Sequence, residues 1–300
     1  MKYTNKHNLP TALYAALVRD DYQQRGDISI TGLIKSPRMF QLEKRHDHEI
    51  EVDASQNLWM LLGSAVHYIL EKGDDKNALQ EEPLSIQVNG WTVSGKPDMW
   101  KDEAVTDWKC TSVWAMKFDK KEWEEQTNLY GYLYEKIGFP VKNLYICAIL
   151  RDWVHSELLR YKDYPPIPFV KKEIKKISQD NARKLITSRV SLHQSSEGLS
   201  DSALGECTPE EKWARPSKWA VKKKGNKNAA KGGVHDSEEK AQGFISEKIV
   251  ADKTIGNQLY IEERIGDQWL KCRNFCSAKN YCNLFQNQLK KEIKDARDTD

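Results

Sequence analysis

Apolar and polar positions alternate in short pairs of runs through the middle of the chain. Ser85–Val88 and Trp91–Ser94 are β-rich runs on either side of Asn89-Gly90, a dipeptide that favours the two-residue hairpin turn with positive φ at both centres. Gly95 and Lys96-Pro97-Asp98 follow, and a second hairpin signal at Lys101-Asp102-Glu103 leads into a strand over Ala104–Lys109. Helical spacing flanks this β-rich centre. Over Leu58–Lys72 it sets Leu58, Leu61, Leu62, Ala65 and Ile69 on a core side and Gly63, His67 and Glu71 on one stripe. Over Trp123–Lys136 it puts Gln126, Tyr130 and Tyr134 on one face and Leu129 and Leu133 on another.

Further out the pattern is simpler. Leu9–Val18 reads as a first amphipathic helix: Pro10 and Tyr14 interrupt the apolar run, and no small-residue cleavage site follows, so a signal peptide is the poorer reading. Asp27–Thr31 leads into a capped helix start and a basic loop, with Lys35, Arg38, Lys44 and Arg45 on a solvated face. Asn143–Leu150 is a buried strand. Residues 169–193 read as one long amphipathic helix carrying Val170, Ile174, Ile177, Leu185 and Val190. Ser195–Gly205 is Ser/Gly-rich and marks the best internal boundary. Residues 236–248 then read as a short helix, and 264–269 as a small hairpin leading into a cysteine-rich tail.

Composition places these elements in a soluble globular chain. Of 300 residues, 39% are hydrophobic and 30% charged, and no run approaches the ~18 apolar residues of a membrane span. A net charge of +3 is too small to argue for a polyanionic partner, so that case rests on local clusters. A cytosolic location is expected, which makes the six cysteines poor candidates for structural disulfides.

The chemistry concentrates in the second hairpin. Period-2 geometry sets Asp107 and Lys109 on one sheet face, with Asp98 close by across the turn. Carboxylate oxygens suit a hard divalent cation, which can activate water and neutralise charge on a scissile phosphate, while a lysine can orient that water or stabilise the pentavalent phosphorus. A Gln amide and a Tyr hydroxyl one helical turn apart, at Gln126 and Tyr130, can contact a nucleic-acid backbone.

Pro97-Asp98, eight residues, then Asp107-Trp108-Lys109 resembles the PD-(D/E)xK nuclease signature. The Gly63-x-x-x-His67 helix before it and Gln126-x-x-x-Tyr130 after it are similar to motifs of the RecB-type branch, which includes phage-encoded exonucleases and CRISPR adaptation nucleases. The resemblance spans residues 58 to about 150. It implies an α/β (α+β) fold with a restriction-endonuclease-like core, a mixed central sheet flanked by helices, and a Mg²⁺- or Mn²⁺-dependent DNA nuclease. His67, Asp98, Asp107 and the Trp108 carbonyl would hold the cation, Lys109 would help activate water, and Gln126 and Tyr130 would position the strand. Glu71 would support the ligands from behind. The substrate expected is DNA that is single-stranded or has free ends, with a helicase or recombination protein as partner, in a bacterial or phage-infected cytosol. The core would occupy 1–195 and a cysteine-rich extension packed on it 196–300.

In that extension Cys272-x3-Cys276-x5-Cys282 stands near the C-terminus, with Cys207 well before it. Four cysteines are the number needed for an iron–sulfur cluster (4Fe-4S) or a zinc site. RecB-type relatives with a cluster often use C-x2-C-x5-C and place the distant cysteine before the core; this chain departs on both points. Cys110 and Cys147 read as ordinary strand thiols. Between Cys207 and the triplet, residues 213–235 carry Arg215, Lys218, Lys222, Lys223, Lys224, Lys227 and Lys231 without an acidic residue, with Trp213 and Trp219 among them. That mixture suits single-stranded nucleic acid, and equally a mobile lysine-rich loop. A non-catalytic DNA-binding protein on the same fold and an adaptor with a cysteine knuckle are the rival readings.

Overall fold

A computed structural model describes residues 1–19, 25–73, 75–251 and 258–297. They form two compact units, 1–205 and 206–300. In the first unit the order begins β1 (Lys2–Thr4), α1 (Thr11–Val18), β2 (Ile28–Ser29), α2 (Ile30–Leu33), α3 (Pro37–Arg45) and β3 (Glu51–Asp53). It continues α4 (Leu58–Glu71), β4 (Leu79–Gln80), β5 (Leu84–Val88), β6 (Trp91–Gly95), β7 (Met99–Lys101) and β8 (Ala104–Thr111). It ends α5 (Val113–Met116), α6 (Lys121–Lys136), β9 (Asn143–Leu150), α7 (His155–Leu158), β10 (Phe169–Ile174) and α8 (Gln179–Glu197).

The architecture is mixed α/β. The largest sheet has the order β10-β9-β8-β7-β4, with β8 parallel to β9 and the other neighbours antiparallel. A second sheet, β2-β6-β5, holds the first hairpin. Asn89 (φ 48°) and Gly90 (φ 81°) both take the left-handed backbone its turn requires. Helix α6 lies between these strands and α8. Ile28, Ile30, Leu33, Val105, Leu129, Leu133, Leu144 and Ile146 are excluded from solvent in one cluster; burying each such side chain contributes about 1.5–3 kcal/mol.

Several expectations are corrected here. Residues 169–174 are a strand, running antiparallel to β9 from Phe169 opposite Ile149 to Ile174 opposite Leu144. The spacing of four between Val170 and Ile174 fits one strand face as well as one helix stripe, which is why the longer helix looked plausible. The helix begins only at Gln179, where the Ser178 hydroxyl accepts the Asn181 N–H. Arg38 is not on a solvated face: it is buried and donates to the carbonyls of Asp201, Leu204 and Gly205. Arg45 and His46 both pair with Asp201 at 2.7 Å. These bonds tie residues 201–205 to α3 within the first unit. Helix α4 has no fully buried residue, and Leu58, Leu62, Ala65 and Ile69 of its expected core side are exposed.

In the second unit, β11 (Lys218–Lys223), β12 (Ala229–His235) and β13 (Leu259–Arg264) form an antiparallel sheet in the order β12-β11-β13. Helix α9 (Glu238–Ala251) covers it through Ala241 and Ile245 on Val221. Of the two alternatives for the basic run, the loop is not what forms: residues 218–223 and 229–235 are strand. Arg264 ends β13 against Lys218 instead of opening a hairpin at 264–269, and α10 (Leu270–Asn274) and α11 (Asn283–Arg297) follow. Among the described residues no helix is long and apolar enough to cross a membrane.

Gly95 ends β6 directly under α6. A Cβ there would meet Leu133 Cδ1 at 2.8 Å and Tyr130 Cε1 at 3.0 Å. Gly95→Ala is therefore expected to cost about 1–3 kcal/mol through overpacking, seen as a melting temperature several degrees lower. An unchanged melt would show that α6 does not press on β6 at this point.

Candidate active site

The site follows from the register of three short strands. Asp102 (φ 48°) and Glu103 (φ 60°) make the tight turn that pairs Lys101 with Ala104 and Met99 with Thr106. Continuing that ladder by one step sets Asp98 opposite Asp107, which accounts for the eight residues between them. Asp98 is fixed further by the Trp108 N–H, which donates to its Oδ2 at 2.5 Å. On the other side of β7, Gln80 pairs with Met99, so Glu81 also arrives beside Asp98 and donates its N–H to the Asp98 carbonyl at 3.1 Å. Glu81 does so with φ of 53°, a backbone conformation that costs a non-glycine residue energy and that gathers at functional positions.

Helix α4 adds the imidazole. His67 Nδ1 lies 3.4 Å from Asp98 Oδ1 and 3.7 Å from Glu81 Oε1. Among the described residues, His67, Glu81 and Asp98 are the group whose ligand atoms all fall within 4.8 Å of one another. Lys96 Nζ reaches the second Glu81 oxygen at 2.6 Å. The paired carboxylates hold a proton on the histidine: the Asp98 bond first, then Glu81, push its pKa up to about 10 against the opposing effect of burial. Burial raises the Glu81 carboxyl, but His67 and Lys96 together outweigh it and hold the group below its ordinary value. A cation entering between them would have to displace the imidazole proton.

Asp107 is 2% exposed. Burial pushes its carboxyl up to about 6 although Lys109 pulls the other way, and nearby Asp98 adds to the rise. Lys109 Nζ stands 2.6 Å from Asp107 Oδ2 and pairs with it. The lysine also donates to Gln126 Oε1 at 3.4 Å, and Gln126 Nε2 donates to the Tyr130 hydroxyl at 3.1 Å. Burial raises the Tyr130 phenol, which keeps it neutral. A line of polar contacts therefore runs from Asp107 through Lys109 and Gln126 to Tyr130.

The structure thus gathers His67, Asp98, Asp107, Lys109, Gln126 and Tyr130, with Trp108 joining through its N–H. Asp107 stays outside the tight three-residue group. Glu71 is exposed at the end of α4, and among the described residues a Cβ on Gly63 would meet no atom within 4 Å. Glu81 is the residue that sequence reading missed. It sits in an irregular stretch between helix and hairpin, where no periodicity singles it out, and only its place one step beyond a two-residue strand brings it in.

The remaining candidates lie in the second unit. Lys222 is paired with Glu262 at 2.7 Å, whereas Lys223 and Lys224 are exposed where β11 ends. Cys207, Cys272, Cys276 and Cys282 are not joined in disulfides. Burial pushes Cys272 up to about 11, and the proximity of Cys207 and Cys282 adds to it. Trp213 packs against Phe275 with the rings tilted and their centres 5.1 Å apart, and Trp219 packs beside the α9 core.

No protein-family model matches this chain, and no curated protein matches it. Among solved structures, SSO0001 is similar at 18% identity over 60% of this chain and 84% of its own, with a TM-score of 0.43. An alkaline exonuclease (LHK-Exo) from Laribacter hongkongensis is similar at 11% identity over 56% of this chain and 88% of its own, with a TM-score of 0.36. Likenesses this distant leave the functional reading to rest on the site itself.

Removing one oxygen donor without changing its size tests the three-residue group. Glu81→Gln should weaken Mn²⁺ binding about tenfold or more in titration calorimetry, as loss of a ligand charge does. Wild-type affinity in that variant would remove Glu81 from the site.

Proposed function

We propose that this chain is a divalent-cation-dependent DNA nuclease of the PD-(D/E)xK kind, with a restriction-endonuclease-like core, acting as an exonuclease on ends or single strands. One observation carries the reading: an imidazole and two carboxylates converge within 4.8 Å, beside a buried carboxylate already matched to a lysine. A buried ion pair is often no more stabilising than an apolar pair of the same volume, so Asp107–Lys109 is weak evidence of a purely structural role.

The donor set fits Mg²⁺ or Mn²⁺: hard carboxylate oxygens from Asp98, Glu81 and Asp107, with one imidazole from His67. Bound there, the cation would supply Lewis-acid polarisation of a phosphodiester and a water of lowered pKa. The protein supplies the rest. Lys109, held between Asp107 and Gln126, presents a fixed positive charge to a phosphate oxygen or to the attacking water. Gln126 is oriented by the neutral Tyr130 hydroxyl, and with it the Lys109 ammonium is kept on the reacting side of β8. Lys96 balances Glu81, so the acidic cluster does not stand uncompensated before DNA arrives.

The cysteines of the second unit fit a metal centre as well. Tetrahedral zinc at ~2.3 Å from each thiolate needs sulfurs about 3.8 Å apart. Cys207 and Cys282 lie close enough to Cys272 to raise its pKa, and with Cys276 they make the four thiolates an iron–sulfur cluster takes, each binding a different iron. Anaerobically purified protein is expected to show a visible absorption band and iron with sulfide; zinc alone, or no metal, would refute the cluster.

The catalytic reading is tested with end-labelled single-stranded, duplex and closed-circular DNA, in Mg²⁺ or Mn²⁺ against EDTA. Asp107→Asn and Lys109→Ala should each lose about 100-fold or more in rate. Cation-dependent loss of linear but not circular DNA is expected; wild-type rates in either variant would overturn the mechanism. Binding without cleavage under any cation would leave a DNA-binding protein.

A further inference from the structure

We infer that Arg151 and Trp59 form a docking point for single-stranded nucleic acid, at the end of a positive track that leads away from the candidate reaction centre past Lys109 and Lys120. This inference rests on the nuclease reading for its setting and deepens it by naming the strand's path.

Two independent displacements from the centre meet there. Trp59 precedes His67 by eight residues on α4, about 12 Å at ~1.5 Å per residue. Thr111 follows Asp107 by four residues on β8, about 13 Å at ~3.3 Å per residue. The Arg151 N–H donates to the Thr111 carbonyl at 2.9 Å, and the Arg151 guanidinium lies 4.2 Å from the centre of the Trp59 ring. At ~3.4 Å per stacked nucleotide, that point is roughly three to four nucleotides from the centre.

The charges along this path want an anion. Among the described residues, neither Arg151 nor Lys120 enters an ion pair with an acidic side chain, and Lys120 is half-buried with its Nζ 4.1 Å over the Trp123 ring. Burial lowers the Lys120 pKa, and the nearby charges of Lys109 and Arg151 lower it further while Glu122 opposes them, so Lys120 feels a cation on either side of it along the path. Two cations held together without an acidic partner, Arg151 and Lys120, are stabilised by phosphates. Trp59 supplies the second half of the recognition. It is 62% exposed, with Arg151 stacked on its ring. A ring held in place by a planar guanidinium is a platform on which an unpaired base can stack, whatever its identity. A duplex keeps its bases inside and would use the cations but not the ring, so the pairing favours a single strand.

The test is binding of an end-labelled oligothymidylate to the full chain in EDTA, followed by fluorescence anisotropy between about 50 and 200 mM salt. Arg151→Ala should weaken binding about fivefold or more and flatten the salt dependence by about 0.7 of a log unit per log unit of salt, the loss of one phosphate contact on a single strand. Arg151→Lys should keep the slope. Trp59→Ala should weaken binding about 5- to 100-fold with the slope unchanged, and Trp59→Phe should recover most of it. If Trp59→Ala melts early, Trp59→Phe against Arg151→Ala decides. Wild-type affinity and slope in both alanine variants would overturn the inference, as would a wild-type chain that does not bind the oligonucleotide. Loss of self-association in Trp59→Ala with unchanged binding would assign the ring to a protein contact and overturn it too. EDTA separates this result from cleavage. A chain that cleaves DNA while ignoring these substitutions keeps the nuclease reading and loses the track. A chain that binds through them but never cleaves loses only the nuclease reading.

Discussion

A carboxylate taken out of water is the constraint around which the first unit is built. Asp107 sits on β8, between β7 and β9, where burial penalises its charge. Lys109 at 2.6 Å offsets part of that penalty, and the two residues share a face because a strand repeats every second position. Replacing such a pair with apolar side chains is often neutral or stabilising, so a buried ion pair is weak evidence of a purely structural role. The surrounding bonds point the same way. The Trp108 N–H aims Asp98, the β4–β7 pairing delivers Glu81 in a strained conformation, and Gln126 restrains the lysine. Each of these holds a polar side chain in place instead of burying an apolar one.

Much of this frame was legible in the residues. The two hairpins were visible because Asn89-Gly90 and Asp102 favour positive φ, and a tight turn with a known register fixes which side chains face one another. The closeness of Asp98 and Asp107 follows from the second turn alone. The closeness of His67 does not: it depends on how α4 lies on the sheet, which no local pattern states. Glu81 was illegible for a sharper reason, since a two-residue strand has no periodicity to read.

The misreadings share a cause as well. Helical spacing over Leu58–Lys72 marks an apolar stripe, but a stripe does not reveal whether anything covers it, and α4 remains widely exposed. Val170 and Ile174 satisfied two periods at once, and the pairing with β9 decided between them. Arg38 looked like a surface cation because arginine usually is one; three backbone carbonyls supply the acceptors that let it be buried. In the second unit the lysine run read as one basic segment, yet β-sheet alternation and pairing with Glu262 divide it into committed and exposed members.

The central claim is that His67, Glu81 and Asp98 bind one divalent cation, and crystals soaked in Mn²⁺ test it most directly. The account predicts an anomalous peak within bonding distance of His67 Nδ1 and of oxygens from Asp98 and Glu81, with the His67–Asp98 ion pair replaced by metal contacts. No peak there at saturating Mn²⁺, with the imidazole still paired to the two carboxylates, would contradict it.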